Sequence, residues 1–212
     1  ILIFNESLQQ HRISILKNIG SMIESPSLYG HLTATENLQI MQKLYQCPVK
    51  RIPEVLHTVG LAETGKKKVS QFSLGMKQRL SIAVSLLHQP SLLILDEPTN
   101  GLDPNGIIEI RDLLKQLNEA NGISIIISSH LLSEIEKLVT HVGIISKGSM
   151  VFQGTLNDLV NKQYQSCRLI IETNNIEGSK AIIKSMQLNG IVEKSKIIMP
   201  IPSREIIAAI NS

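Results

Sequence analysis

At 212 residues, with 42% hydrophobic and 18% charged side chains, the chain has ordinary globular composition and length for one good core, or for one domain with a small appendage. A formal charge of +3, no tryptophan and only 3% aromatic residues leave neither a basic stripe nor stacking platforms, which argues against a nucleic-acid partner. No apolar run approaches the ~18 residues that span a bilayer, Ile1 to Glu6 lack the basic flank of a signal peptide, and Cys47 and Cys167 have no metal or redox spacing, so a cytoplasmic protein with free thiols is expected.

In chain order, Ile1 to Phe4 reads as the end of a strand, and His11 to Lys17 as a short helix with Ile13 and Leu16 facing inward. Ile19 to Ile23 precede Glu24-Ser25-Pro26, where the plain reading of Glu24 is a surface carboxylate before a proline turn. Thr33-Ala34-Thr35-Glu36 is a capping box opening a helix with Leu38, Met41 and Leu44 or Tyr45 at helical spacing. A second helix covers Pro53 to Val59. Gly60 to Lys67 has the spacing of a phosphate-binding P-loop, but Lys67 stands where Ser or Thr must ligate magnesium and no strand precedes it, so it is set aside. The Lys66-Lys67-Lys68 run reads as a solvated loop. Ser73 caps a helix continuing through Leu80, Ala83, Val84 and Leu87 on one apolar face.

Leu92 to Leu95 then form an aliphatic run suited to a strand buried on both faces of a parallel sheet. Asp96 and Glu97 end it, at the carboxyl edge where open α/β sheets place their ligands, and Pro98 stops the strand. Alternation points the two carboxylates in different directions, so that one can serve a metal-bound phosphate and the other an attacking water. Gly101 and Asp103 make good turn residues, Pro104 starts a helix with Ile107, Ile110, Leu114 and Leu117 on one face, and Asn121-Gly122 ends it. Ile123 to Ile127 is another buried strand, with Ser128-Ser129-His130 at its carboxyl end. Val142 to Ser146 and Met150 to Gln153 read as a hairpin; beyond Thr155 come a helix, a strand at Arg168 to Glu172 and a helix around Lys180 to Leu188, with no recognisable chemistry.

Phe72-Ser73-Leu74-Gly75-Met76-Lys77-Gln78-Arg79-Leu80 resembles the signature motif of ATP-binding cassette (ABC) ATPases, and Leu92 to Pro104 resembles their Walker B and D-loop segment, in the family's order and at about its separation. The likeness is strongest to ATPase subunits of bacitracin and lantibiotic exporters and immunity pumps, where Ser-Leu-Gly-Met-Lys-Gln-Arg is familiar, and it covers residues 1 to about 155. It implies a P-loop NTPase-like α/β core of mainly parallel sheet flanked by helices, with a helical subdomain at about 31–88, an ATPase domain at 1–155 and a small α+β accessory region at 156–212. It also implies ATP and Mg2+ as cofactors. Asp96 would then hold magnesium, Glu97 would activate the attacking water, and His130 would match the H-loop histidine on the γ-phosphate. Ser73, Gly75 and Gln78 would bind nucleotide held mainly by a second subunit, and Asp103 would reach across the dimer. Glu24 stands where the family's Q-loop glutamine contacts the magnesium site of the bound nucleotide and relays its state to the transmembrane partner. The implied partners are a transmembrane permease subunit and a second ATPase subunit in a head-to-tail dimer, with no nucleic acid. A soluble cassette ATPase acting on ribosomes or DNA is the alternative; a degenerate binding module is a third reading, against which the intact Glu97 and His130 argue. With no starting Met and no Walker A loop recognised, the chain is expected to be a fragment lacking the Walker A region, also cut short at Ser212, and to bind ATP feebly alone.

Overall fold

The computed structural model describes residues 1–24, 27–131, 136–166, 168–185, 188, 191–193 and 196–200. They fall into two compact units, Ile1–Leu138 and Val139–Ser212. The turn expected at Ser25-Pro26, the segment following Leu131, Cys167 and the C-terminal dozen residues lie outside the described part.

The first unit is built on three parallel strands, β3 (Ile19–Met22), β4 (Leu92–Asp96) and β5 (Ser124–Ser128), in the order β3-β4-β5. Their register places Met22 beside Leu95, Leu95 beside Ile127, and Asp96 beside Ser128. All three strands therefore finish at one edge. Before them, β1 (Leu2–Ile3) and β2 (Glu6–Ser7) pair as a separate antiparallel hairpin, not as an extension of the parallel sheet. Phe4 and Asn5 at its tip carry φ of 55° and 62°, the left-handed pair that a two-residue hairpin turn demands.

Helices cover one face of the sheet. The central one, α4 (Leu74–Leu86), buries Leu80, Ser81, Ile82, Ala83 and Ser85, so it is enclosed around most of its girth and not along the single apolar stripe expected. Gly20 of β3 lies directly under it: a Cβ there would sit 2.2 Å from the carbonyl oxygen of Ser85 and 2.6 Å from Leu93 Cδ2. Strand and helix approach this closely because residue 20 has no side chain. Helix α5 (Pro104–Asn121) adds Ile110, Leu113, Leu114 and Leu117 to the same core, and ends at Gly122, whose φ of 66° supports the left-handed cap and its bond from Gly122 N–H to the Asn118 carbonyl.

The opposite face is a correction to the sequence reading. Ser21, Ile94 and Ile126 stand side by side across the three strands, and Ile94 and Ile126 are 38% and 56% exposed. Among the described residues β4 thus buries Leu93 and Leu95 on one face, while on the other Leu92 is buried and Ile94 is open. An aliphatic run fixes the strand but cannot show which of its alternating faces is covered. A second correction concerns α1 (Arg12–Leu16): Ile15 is the buried residue, whereas Ile13 and Leu16 are exposed.

Between β3 and α4 the chain makes α2 (Ala34–Tyr45) and α3 (Arg51–Thr58). The predicted capping box is present in full: Thr33 N–H donates to Glu36 Oε2 at 2.7 Å and Glu36 N–H to Thr33 Oγ1 at 3.2 Å. Asn37, 3% exposed, bonds both the N–H and the carbonyl of Tyr29 and so ties the incoming loop to the helix. Leu38 is buried and Met41 packs on the core, while Leu44 points out. Arg51 reaches back to the carbonyls of Leu86 and Leu87, adding side-chain donors at the C-terminus of α4. Gly60 to Lys67 follows α3 through a single 3₁₀ turn at Ala62–Thr64, with no strand before it.

The second unit begins with the expected hairpin, β6 (His141–Ser146) and β7 (Ser149–Thr155), turning through Lys147 and Gly148, both at positive φ. Helix α6 (Leu156–Ser166) follows, then an antiparallel sheet in the order β8-β10-β9, from β8 (Arg168–Glu172), β9 (Ile191–Glu193) and β10 (Lys196–Pro200). Helix α7 (Ile176–Ser185) shares a small core with this sheet through Ile183, Ile197 and Met199.

Candidate functional site

The carboxyl edge of the parallel sheet gathers the chemistry. Asp96 is the last residue of β4, and Glu97 follows at φ +46°, in the left-handed region. For a residue with a Cβ that conformation costs about 1–2 kcal/mol. It turns the chain sharply, so both carboxylates emerge at the strand end in place of simple alternation across the sheet. His130, two residues past β5, brings Nδ1 to 3.0 Å from each carboxylate oxygen of Glu97. Glu97 is the more enclosed partner, with 22% of its side chain exposed against 62% for His130. Ser128, paired with Asp96 in register, donates its hydroxyl to Asp96 Oδ1 at 2.5 Å and accepts from Glu97 N–H at 3.0 Å.

This arrangement suits a magnesium nucleotide. Asp96 is exposed at the strand end, and among the described residues only its Oδ1 takes a protein donor, leaving Oδ2 free for metal-bound water. A cation of this kind prefers hard oxygen donors, keeps several waters and takes one or two carboxylates together with substrate phosphates. Among the described residues no three His, Cys, Asp or Glu side chains gather in one cluster. Glu97, hydrogen-bonded to an imidazole, can accept a proton from a water in the adjacent space.

The remaining predicted residues fall in two places. Glu24 lies two residues beyond β3, exposed, with φ of 29°, at the same edge of the sheet as Asp96 and Glu97. Ser73 is the N-cap of α4: its hydroxyl accepts from Met76 N–H at 3.2 Å, and the side chain is exposed at the positive end of the helix. Gly75 in the first turn packs against the D-loop-like segment, where an added Cβ would meet Leu102 at 3.9 Å, and Gly101 lies close to Leu74. Asp103 caps α5, its Oδ1 accepting from Gly106 N–H at 3.2 Å. Gln78 is 2% exposed with Oε1 unpartnered, so its side chain sits inside the unit beneath the exposed first turn of α4. Sequence reasoning left Ser128 without a role; its signal was a hydroxyl at a strand end, readable only once the register put it beside Asp96.

The model of the family described as "ABC transporter" matches residues 1–100. The bacitracin transport ATP-binding protein BcrA of Bacillus licheniformis is 55% identical over 152 residues, covering 71% of this chain and 50% of the relative. The lantibiotic transport ATP-binding protein SrtF of Streptococcus pyogenes is 45% identical over 154 residues, covering 70% of this chain and 67% of the relative. Among solved structures, cbiO1 of Clostridium perfringens, described as part of the transporter complex cbiONQ, superimposes with a TM-score of 0.69 over 88% of this chain and 72% of that one; at 24% identity it speaks for the fold alone. The chain spans about half the length of the bacitracin relatives.

These matches correct one expectation. The description of the chain as a fragment lacking the Walker A region is not supported, because the family model is matched from Ile1 itself through Asn100 and the bacitracin relatives share strong homology over this N-terminal part. With a P-loop-type α/β core and 45% identity across two thirds of a lantibiotic-transport relative, the chain belongs to the ATP-binding proteins of ABC transporters.

Proposed function

We propose that the chain forms part of an ATP-hydrolysing subunit that drives export of an antimicrobial peptide, for self-protection or resistance. The observation that carries the reading is the strand-edge pair Asp96 and Glu97, with His130 in hydrogen-bond contact with Glu97. The names of the bacitracin and lantibiotic relatives supply the substrate class. Magnesium and ATP, when bound, supply an activated γ-phosphoryl group. Asp96 would accept hydrogen bonds from the metal's water, Glu97 would take the proton of the attacking water, and His130, which holds the Glu97 carboxylate, would offer its ring to the γ-phosphate. Ser73 and Gly75 offer the first turn of α4 to a nucleotide held by a second ATPase subunit, Gln78 acts through the position of that turn, and Asp103 places the loop beside it. Glu24 senses the metal site on behalf of a permease. The subunit works at the cytoplasmic face of the membrane; among the described residues no helix is long and apolar enough to cross it. We place the ATPase portion at residues 1–155, its helical subdomain at about 31–88 and the accessory region at 156–212.

The test is to co-express the full-length protein with its permease and measure Mg-ATP hydrolysis and peptide efflux in vesicles. Hydrolysis stimulated by bacitracin or a lantibiotic is expected. A purified complex whose hydrolysis ignores every such peptide would contradict the assignment of substrate class, and one with no hydrolysis would contradict the activity.

A further inference from the structure

We propose that Ser128 is a positioning residue for both carboxylates of the site, an inference that rests on the ATPase reading above. A serine hydroxyl has one proton to give and lone pairs to receive. Here the proton goes to Asp96 Oδ1 at 2.5 Å, the short distance typical of an O–H donor on a carboxylate, and a lone pair takes Glu97 N–H at 3.0 Å. One side-chain atom on β5 thus fixes the last residue of β4 and the residue that follows it.

The two bonds have different consequences. The first selects the rotamer of Asp96 and occupies Oδ1, so that Oδ2 is the oxygen presented outward. The second satisfies an amide that has left the strand ladder: at φ +46° Glu97 has turned away from the β pairing, and its N–H finds Ser128 Oγ instead of a carbonyl on the neighbouring strand. Removing the hydroxyl releases Asp96 to other rotamers and deprives the left-handed turn of its support, which loosens the direction of the Glu97 side chain toward His130. Partners that orient a metal's ligand commonly matter to metal affinity by about 10–100-fold. The hydroxyl lies at an exposed strand end, so its loss exposes these groups to water and leaves the buried core intact.

The experiment uses the full-length protein, with Mn2+ plus ATP as the probe. Free Mn2+ is followed by electron paramagnetic resonance, alongside ATP turnover and thermal melting. For Ser128→Ala, Mn2+ affinity in the presence of ATP is expected to weaken by about tenfold and kcat to fall by at least as much, with melting nearly unchanged. Ser128→Thr, which keeps the hydroxyl on a strand-compatible side chain, is expected to restore both. Should Ser128→Ala melt early, Ser128→Cys decides, because its weaker donor retains the size: affinity between serine and alanine is expected. Mn2+ affinity and turnover within about twofold of wild type in Ser128→Ala, or no rescue by threonine, would overturn the positioning role. A wild-type protein that turns over no ATP would instead overturn the ATPase reading itself.

Discussion

Glu97 owes its direction to a backbone conformation that its own Cβ disfavours, and His130 and Ser128 are the contacts that hold it there. Among the described residues His130 bonds through Nδ1 alone, and its side chain is more than half exposed, so it is free to turn toward a phosphate while keeping Glu97 within reach. We expect His130→Ala to lower kcat by roughly 10²-fold or more, the scale of losing a preorganised polar group, with ATP affinity changed only a few-fold; weakened ATP affinity with unchanged kcat would mean that the imidazole serves binding alone. At this scale the sequence was informative where chemistry coincides with a strand end. Asp96, Glu97 and His130 each follow an aliphatic run. The pairing between Glu97 and His130 was not legible, because it depends on where two strands lie relative to each other, and neither was the burial of Gln78.

Among the elements, α2 shows how far local rules reach. Its capping box was readable from four residues and is present in both hydrogen bonds. Thr33→Ala should therefore destabilise the protein by about 1 kcal/mol in chemical denaturation. The cap also has a pH signature. The Thr33 backbone N–H, then the Thr33 side chain and Lys68, hold the Glu36 carboxyl below its usual value of 4.5. A depressed carboxylate stabilises the fold above its unfolded value, and that contribution disappears as pH falls through the folded one. Denaturation of Glu36→Gln should thus differ from wild type at neutral pH and converge with it on the acid side of 4.5; a constant difference at all pH values would exclude the linkage.

Gly20 marks a limit of reading elements singly. Nothing in its neighbours announces the contact with Ser85, yet Gly20→Ala should cost about 1–3 kcal/mol or more, since the obstructing atoms include backbone; a stability within 0.5 kcal/mol of wild type, small on the scale of ordinary surface substitutions, would mean that α4 shifts freely. The same dependence on neighbours explains two misreadings. Ile13 and Leu16 share the hydrophobic character of Ile15, but a five-residue helix has too few turns for periodicity to choose its inward side. Ile94 belongs to an unbroken aliphatic run, and only the placement of helices shows that its face is the open one.

For the molecule as a whole, the sheet's common carboxyl edge is what joins distant stretches of sequence into one site. Glu24, Asp96, Glu97, Ser128 and His130 come from three strand ends separated by helices. Order of motifs along the chain was enough to identify the family, whereas the expectation that the Walker A region is lacking, drawn from the absence of a recognised loop, is not supported by the family match. We propose Glu24 as the link from this edge to a permease: Glu24→Gln in the full-length complex should shift the magnesium dependence of hydrolysis while melting stays nearly constant, as is usual for an exposed loop residue. An unchanged magnesium titration with unchanged efflux would leave Glu24 a surface residue. The central claim, that the Asp96 and Glu97 edge hydrolyses ATP, is tested most directly by single-turnover hydrolysis and ATP binding in full-length Glu97→Gln. The account predicts that hydrolysis slows by at least about a hundredfold while ATP binding survives; near-normal turnover in this variant would contradict it and place the base elsewhere.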